Sequence, residues 1–185
     1  MLNRIAKILL LFTIVLIIFF GSKSIFRRLY PLNYTMYISL YANKYSIDPY
    51  LVAAVIRTES KFDINATSSK NAAGLMQITE ETGKWIAEQM KITDFNTKDL
   101  YNPEINIKMG CWYLDNLKQE FNGNMEVVLA AYNGGRGNVK NWLGNNDYSI
   151  DGQSLKYIPF KETDEYIKRV RANYNIYKYM YRDFR

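Results

Sequence analysis

Twice in this chain a short polar residue stands directly before a proline at the head of an apolar-periodic run, at Asp48-Pro49 and at Asn102-Pro103. An Asp or Asn side chain can accept the first free N–H groups of a helix. Proline at the first helical position gives up an N–H that would have no partner there. The device fixes two helix starts, predicted over residues 49–59 and, at greater length, over 103–121. Further helices are expected over 32–44, over a segment capped by Thr79 with Glu80 and Glu81 in its first turn, over 125–132 before Gly134-Gly135, and over 163–181. Residues 61–73, rich in Ser, Asn and Ala, and the polar stretch 145–153 read as loops. Strand-like alternation is nearly absent and no repeat period is visible. The expected fold class is mainly α with at most a minimal β-element.

With 185 residues, 48% of them hydrophobic and 23% charged, the chain has room for one packed domain and is not a disordered composition. Histidine is absent, which excludes a Ser-His-Asp triad, a Cys-His pair and a histidine-based zinc site. The single cysteine, Cys111, cannot close an internal disulfide or build a thiolate cluster. Acid–base chemistry near neutral pH must come from carboxylates, lysine or tyrosine, and neither metal nor cofactor is expected.

The net charge of +6 is concentrated at one end. Arg4, Lys7, Lys23, Arg27 and Arg28 lie in the first 28 residues, which hold no acid; without those five, 19 basic residues face 18 acidic ones. That near-neutral remainder speaks against a nucleic-acid partner, despite 16 tyrosines that could stack on bases. Between the cations, residues 8–20 read ILLLFTIVLIIFF, too apolar for a helix with a wet face. The segment 1–22 is expected to be a signal anchor spanning the membrane, or a signal peptide, followed by a basic linker over 23–33 and a folded domain over 34–185. Either reading places the domain outside the cytoplasm, although Arg27 and Arg28 run against that orientation on charge alone.

On the helix after Pro49, Val52, Val55 and Ile56 form an apolar stripe, and Glu59 continues it three and four residues further on. Desolvation there and the negative end of the helix dipole both raise a carboxyl pKa. Raising it to about 6 takes roughly 2.7 kcal/mol and keeps much of it protonated near that pH, which is the specification of a general acid. An isolated glutamate at a helix end more often turns out to solvent, so its sequence surroundings matter.

Those surroundings are Glu59-Ser60, Gly74-Leu75-Met76-Gln77, Ala131-Tyr132-Asn133 and Glu162-Thr163 with Tyr166-Ile167, in that order. Together they resemble the soluble-lytic-transglycosylase (SLT) family, whose lysozyme-like catalytic domain is related to goose-type lysozyme; the similarity runs over about residues 34–170. The resemblance implies a lysozyme-like fold that cleaves peptidoglycan glycan strands, with Glu59 as the single catalytic acid/base and the Tyr166 hydroxyl approaching it. It implies that Ser68 and Gln77 line sugar subsites and that Asn133 contacts substrate. Met76 and Tyr132 are expected either to wall the same groove or to pack in the core. In one place the chain departs from the family, which writes glycine where Asn71 begins the Asn71-Ala72-Ala73-Gly74 run. Asparagine tolerates positive φ nearly as well, so the turn is expected to survive.

Glycosidases ordinarily pair two carboxyl groups. The late acids Glu162, Asp164 and Glu165 stand at a helix start and read as dipole complementation, leaving one catalytic carboxyl. A one-carboxyl enzyme takes its nucleophile from the substrate. N-acetylmuramic acid offers a 6-hydroxyl, and ring closure would leave a 1,6-anhydro end. The rival readings are a muramidase that hydrolyses the same bond with water and a non-catalytic wall-binding assembly factor.

Overall fold

The computed structural model describes residues 4, 6–13 and 26–184. Two compact units result, residues 1–33 and 34–185. In the first, residues 6–13 are helical and exposed, with the Thr13 hydroxyl donating to the Leu9 carbonyl at 2.8 Å, and residues 26–29 form a short helical turn. Residues 1–3, 5 and 14–22 of the expected signal anchor lie outside the described residues. Among the described residues no helix is long and apolar enough to cross a membrane.

The second unit is mainly α. Its helices are α1 (Thr35–Lys44), α2 (Pro49–Glu59), α3 (Glu80–Gln89), α4 (Pro103–Glu120), α5 (Met125–Gly134), α6 (Arg136–Leu143) and α7 (Lys161–Met180), with a 3-10 turn at Thr97–Tyr101. The two-residue strands β1 (Ala72–Ala73) and β2 (Ile78–Thr79) pair antiparallel, Ala72 opposite Thr79 and Ala73 opposite Ile78. Both proline caps form as their chemistry dictates. Asp48 accepts from the Tyr50 N–H at 2.8 Å, and Asn102 accepts from the N–H groups of Glu104 and Ile105 at 2.9 and 3.2 Å.

Helix α2 is more than the amphipathic helix expected from its stripe. Every residue from Leu51 to Ile56 is buried, so it runs through the middle of the domain. It packs most extensively against α7, whose buried residues Thr163, Tyr166, Ile167, Val170 and Tyr177 fall at helical spacing on one face. The two helices are antiparallel, pinned by polar contacts along their length. The Tyr50 hydroxyl donates to the Tyr181 carbonyl (2.6 Å), the Tyr174 hydroxyl to the Asp48 carboxylate (2.8 Å), and the Asn173 amide to the Thr58 hydroxyl (2.9 Å). This register brings the first turns of α7 beside the end of α2.

In helix α4, Met109 and Leu117 of the predicted stripe are fully buried while Ile105 and Trp112 are half-buried. The buried side is broader than that stripe, taking in Asn106, Ile107, Gly110, Cys111, Tyr113 and Leu114. Gly110 has no side chain because the Met76 side chain occupies that space.

Candidate active site

Glu59 is the last residue of α2, where the helix leaves the core. Its side chain is half-buried. Burial pushes the carboxyl from 4.5 up to about 7; the Tyr166 hydroxyl and the Arg169 guanidinium pull against that rise, and Glu162 adds to it. Tyr166 is buried in the first turns of α7, and its hydroxyl has no closed hydrogen bond. That hydroxyl lies near enough to Glu59 for its O–H dipole to favour the ionised carboxylate, yet short of a formed bond. Burial and the neighbouring Glu59 charge hold the Tyr166 phenol well above its ordinary range, so it stays a donor. The second acid near Glu59, Glu162, stands out in solvent 3.9 Å from Lys70.

The chain reverses sharply after Glu59. Ser60 is buried, and its hydroxyl lies 2.8 Å from the Leu75 carbonyl and 3.2 Å from that of Ile56, while accepting from the Phe62 N–H. Lys61 and Phe62 both adopt positive φ, at 55° and 70°, an uncommon pairing for residues with side chains. One hydroxyl thus fastens the end of α2 to the segment Gly74-Leu75-Met76-Gln77. Ser60 belongs to a motif legible in the sequence, although no role for it is.

That segment is held from beneath by Asn106, a fully buried side chain on α4. Its oxygen accepts from the Met76 N–H (2.7 Å), and its nitrogen donates to the carbonyls of Ala73 (3.0 Å) and Leu100 (2.7 Å). Gly74 sits at φ 74°, where a Cβ would collide with the Leu100 carbonyl and the Asn106 amide. Asn71, the departure from the family pattern, takes φ 56°, the left-handed conformation asparagine tolerates. The Gln77 amide nitrogen donates to the carbonyls of Ala66 and Gly74, both at 3.0 Å, and its side chain stays half-buried. The Ser68 hydroxyl oxygen accepts from the N–H groups of Lys70 and Ala72, closing its own turn and leaving its proton to point elsewhere.

Met76 needs correction as a groove wall. Its side chain has no exposed surface and fills the notch at Gly110, so what it offers is backbone. Its carbonyl accepts from the Tyr132 hydroxyl at 2.7 Å. Tyr132 is half-buried, and burial together with the Glu59 charge keeps its phenol protonated far above neutrality. Next to it, the Asn133 side-chain oxygen accepts from the Thr163 hydroxyl at 2.9 Å, one turn before Tyr166. The structure therefore gathers Glu59, Tyr132, Tyr166 and the loop carrying Gln77 around one carboxyl. Asn106, which positions this loop, has no mark in the sequence that separates it from ordinary helix polar residues, whereas Thr163 lies within the Glu162-Thr163 motif although no role for it is legible there. Among the described residues no cluster of three or more cysteine or acidic side chains could hold a metal ion. The arrangement can present a protonated carboxyl to a ligand oxygen near pH 7, flanked by phenol and amide donors.

The family model for the transglycosylase SLT domain matches residues 36–153. The soluble lytic murein transglycosylase of Escherichia coli (strain K12) is 35% identical over 156 residues, covering 83% of this chain and 24% of that protein. The membrane-bound lytic murein transglycosylase C of Serratia proteamaculans is 35% identical over 107 residues, 53% of this chain and 30% of that protein. The crystal structure of the 70 kDa soluble lytic transglycosylase of Escherichia coli superposes with a TM-score of 0.75 at 31% identity, over 86% of this chain and 26% of that one. The chain thus spans about a quarter of the length of the first curated relatives it matches. By the family model, which covers more than half of its residues, this chain belongs to the transglycosylase SLT domain family.

Proposed function

We propose that this chain is a peptidoglycan lytic transglycosylase that cleaves the β-1,4 bond between N-acetylmuramic acid and N-acetylglucosamine and leaves a 1,6-anhydro-muramoyl end. The reading rests above all on Glu59, a half-buried carboxyl raised to about 7 beside the unbonded Tyr166 hydroxyl. Protonated Glu59 gives its proton to the glycosidic oxygen while the sugar's 2-acetamido group stabilises the developing cation. The resulting carboxylate, favoured by Tyr166 and Arg169, then takes the proton of the 6-hydroxyl, and that oxygen closes on the anomeric carbon. No water is consumed, and the proton returns to Glu59.

Gln77, Ser68 and Asn133 are proposed to contact the substrate, with Tyr132 as an edge of the groove and Met76 contributing its backbone. Residues 1–22 are proposed as the membrane anchor, 23–33 as linker and 34–185 as the catalytic domain acting outside the cytoplasm. The apolar run between cations supports the anchor, as does a relative described as membrane-bound. Incubation of purified peptidoglycan with the protein and with Glu59→Gln tests the assignment. Glu59→Gln is expected to keep the fold and release no soluble muropeptides; undiminished release would remove Glu59 from the role.

A further inference from the structure

A line of rings leads away from the proposed catalytic carboxyl. Tyr132, which feels the Glu59 charge, lies 5.5 Å centroid to centroid from Tyr113, and Tyr113 lies 6.0 Å from Trp85. The Arg136 guanidinium covers the Trp85 ring at 4.8 Å from its centroid. The same guanidinium pairs with Glu120 at 2.5 Å, and Lys140 takes the other oxygen of that carboxylate at 2.5 Å.

The charges do not cancel. Arg136 and Lys140 stand at i and i+4 on α6, an arrangement that is unfavourable by itself. Glu120 satisfies one positive charge and leaves one over. The Glu120 side chain is only 15% exposed, whereas Arg136 and Lys140 are 37% and 59% exposed, so the surplus faces solvent. Glu120 and Lys140 also border a cavity of about 380 Å³ closed on another side by Gly152 and Gln153. Core packing calls for one cation against Glu120. A second cation, Lys140, bordering an open cavity and sharing Glu120 with a guanidinium pinned over a tryptophan, calls for a ligand.

We propose that Trp85, Arg136 and Lys140 form a distal subsite for a saccharide unit carrying a carboxylate. This rests on the reading of the chain as a peptidoglycan enzyme. Trp85 stands two ring contacts away from Tyr132, so the subsite serves a muramoyl unit beyond those at Glu59. The half-buried Trp85 indole offers apolar surface to the sugar, and the guanidinium offers a planar fork to the acid. Because stacking and Glu120 already hold Arg136 in place, little side-chain freedom is lost on binding. The acid is either the lactyl carboxylate of a stripped muramoyl unit or a carboxylate of the peptide it bears.

Tryptophan fluorescence titration of the full chain carrying Glu59→Gln, which binds without turnover, tests the subsite with three probes. These are peptide-bearing glycan strands, strands stripped of peptide, and an uncharged N-acetylglucosamine oligomer of matching length. The expected result is tighter binding of at least one acid-bearing strand than of the uncharged oligomer, with the preferred acidic strand identifying the source of the carboxylate. Adding Arg136→Gln is expected to lower affinity for that strand about tenfold and reduce its salt dependence, while affinity for the uncharged oligomer falls much less. Lys140→Gln, at a more exposed position, should weaken the same preference, and Arg136→Lys should keep part of it. Equal binding of all three probes, or an equal loss on all three in Arg136→Gln and none in Lys140→Gln, overturns the subsite and leaves the enzyme reading standing. Binding of none of the probes overturns both.

Discussion

At the scale of single residues, the physical burden of the site falls on Glu59. A carboxyl that titrates at about 7 in the folded chain and near 4.5 when free binds more protons folded than unfolded between those values. Stability must therefore fall as pH rises through that window, by up to roughly 3 kcal/mol. Chemical denaturation should find Glu59→Gln more stable than the parent at pH 8, with the difference closing near pH 4; a variant no more stable at pH 8 would mean the carboxyl is not desolvated. If Glu59 is the acid, activity falls above about pH 7 as the proton is lost. Because the Tyr166 hydroxyl favours the ionised form, Tyr166→Phe should move that alkaline limb to higher pH while lowering the maximal rate about tenfold. Rate profiles of the two proteins check both the direction and the size. The position of Glu59 was legible from helical spacing on an apolar stripe. The full burial of Met76 was not, because a methionine packed into a glycine notch and one lining a groove look alike in a sequence.

At the scale of elements, what positions Glu59 is a non-helical loop tied at three points: Ser60 to Leu75, Asn106 to Met76 and Ala73, and the Tyr132 hydroxyl to Met76. Asn106→Ala leaves buried N–H and C=O groups without partners and should cost about 3 kcal/mol, read as a drop in the denaturant midpoint. Gly74→Ala forces a Cβ into the Leu100 carbonyl at positive φ and should disrupt the loop even where the helices persist, seen as lost turnover with retained far-UV circular dichroism. The proline-capped helices α2 and α4 were legible because a cap is local chemistry. Helix α6 has no comparable signature in the sequence: it has only two buried residues, Val139 and Trp142, and glycines at its start and one residue in. The strands β1 and β2 are two residues each, shorter than any alternation that could announce them, and they form because the hairpin is clamped by long-range side-chain bonds.

At the scale of the whole molecule, charge and hydropathy divide the chain more sharply than any motif does. The five early cations and the apolar run belong to the first unit, and the domain from Tyr34 onward is close to neutral. Residues 34–185 produced alone should fold and release muropeptides, and the full chain should sediment with membranes while the shorter one does not; equal partitioning of the two would remove the anchor. Helix content and the order of motifs carried the fold class. The antiparallel register of α2 and α7, which puts Tyr166 beside Glu59 across 107 positions, depends on contacts between distant residues that no local pattern encodes.

Mass spectrometry of the muropeptides released from purified peptidoglycan addresses the one-carboxyl mechanism most directly. Ring closure by the substrate's own hydroxyl predicts products ending in 1,6-anhydro-N-acetylmuramic acid, one water lighter than the hydrolytic products and resistant to borohydride reduction. Reducing ends as the initial products would contradict it, and would make the bond's breakage a hydrolysis.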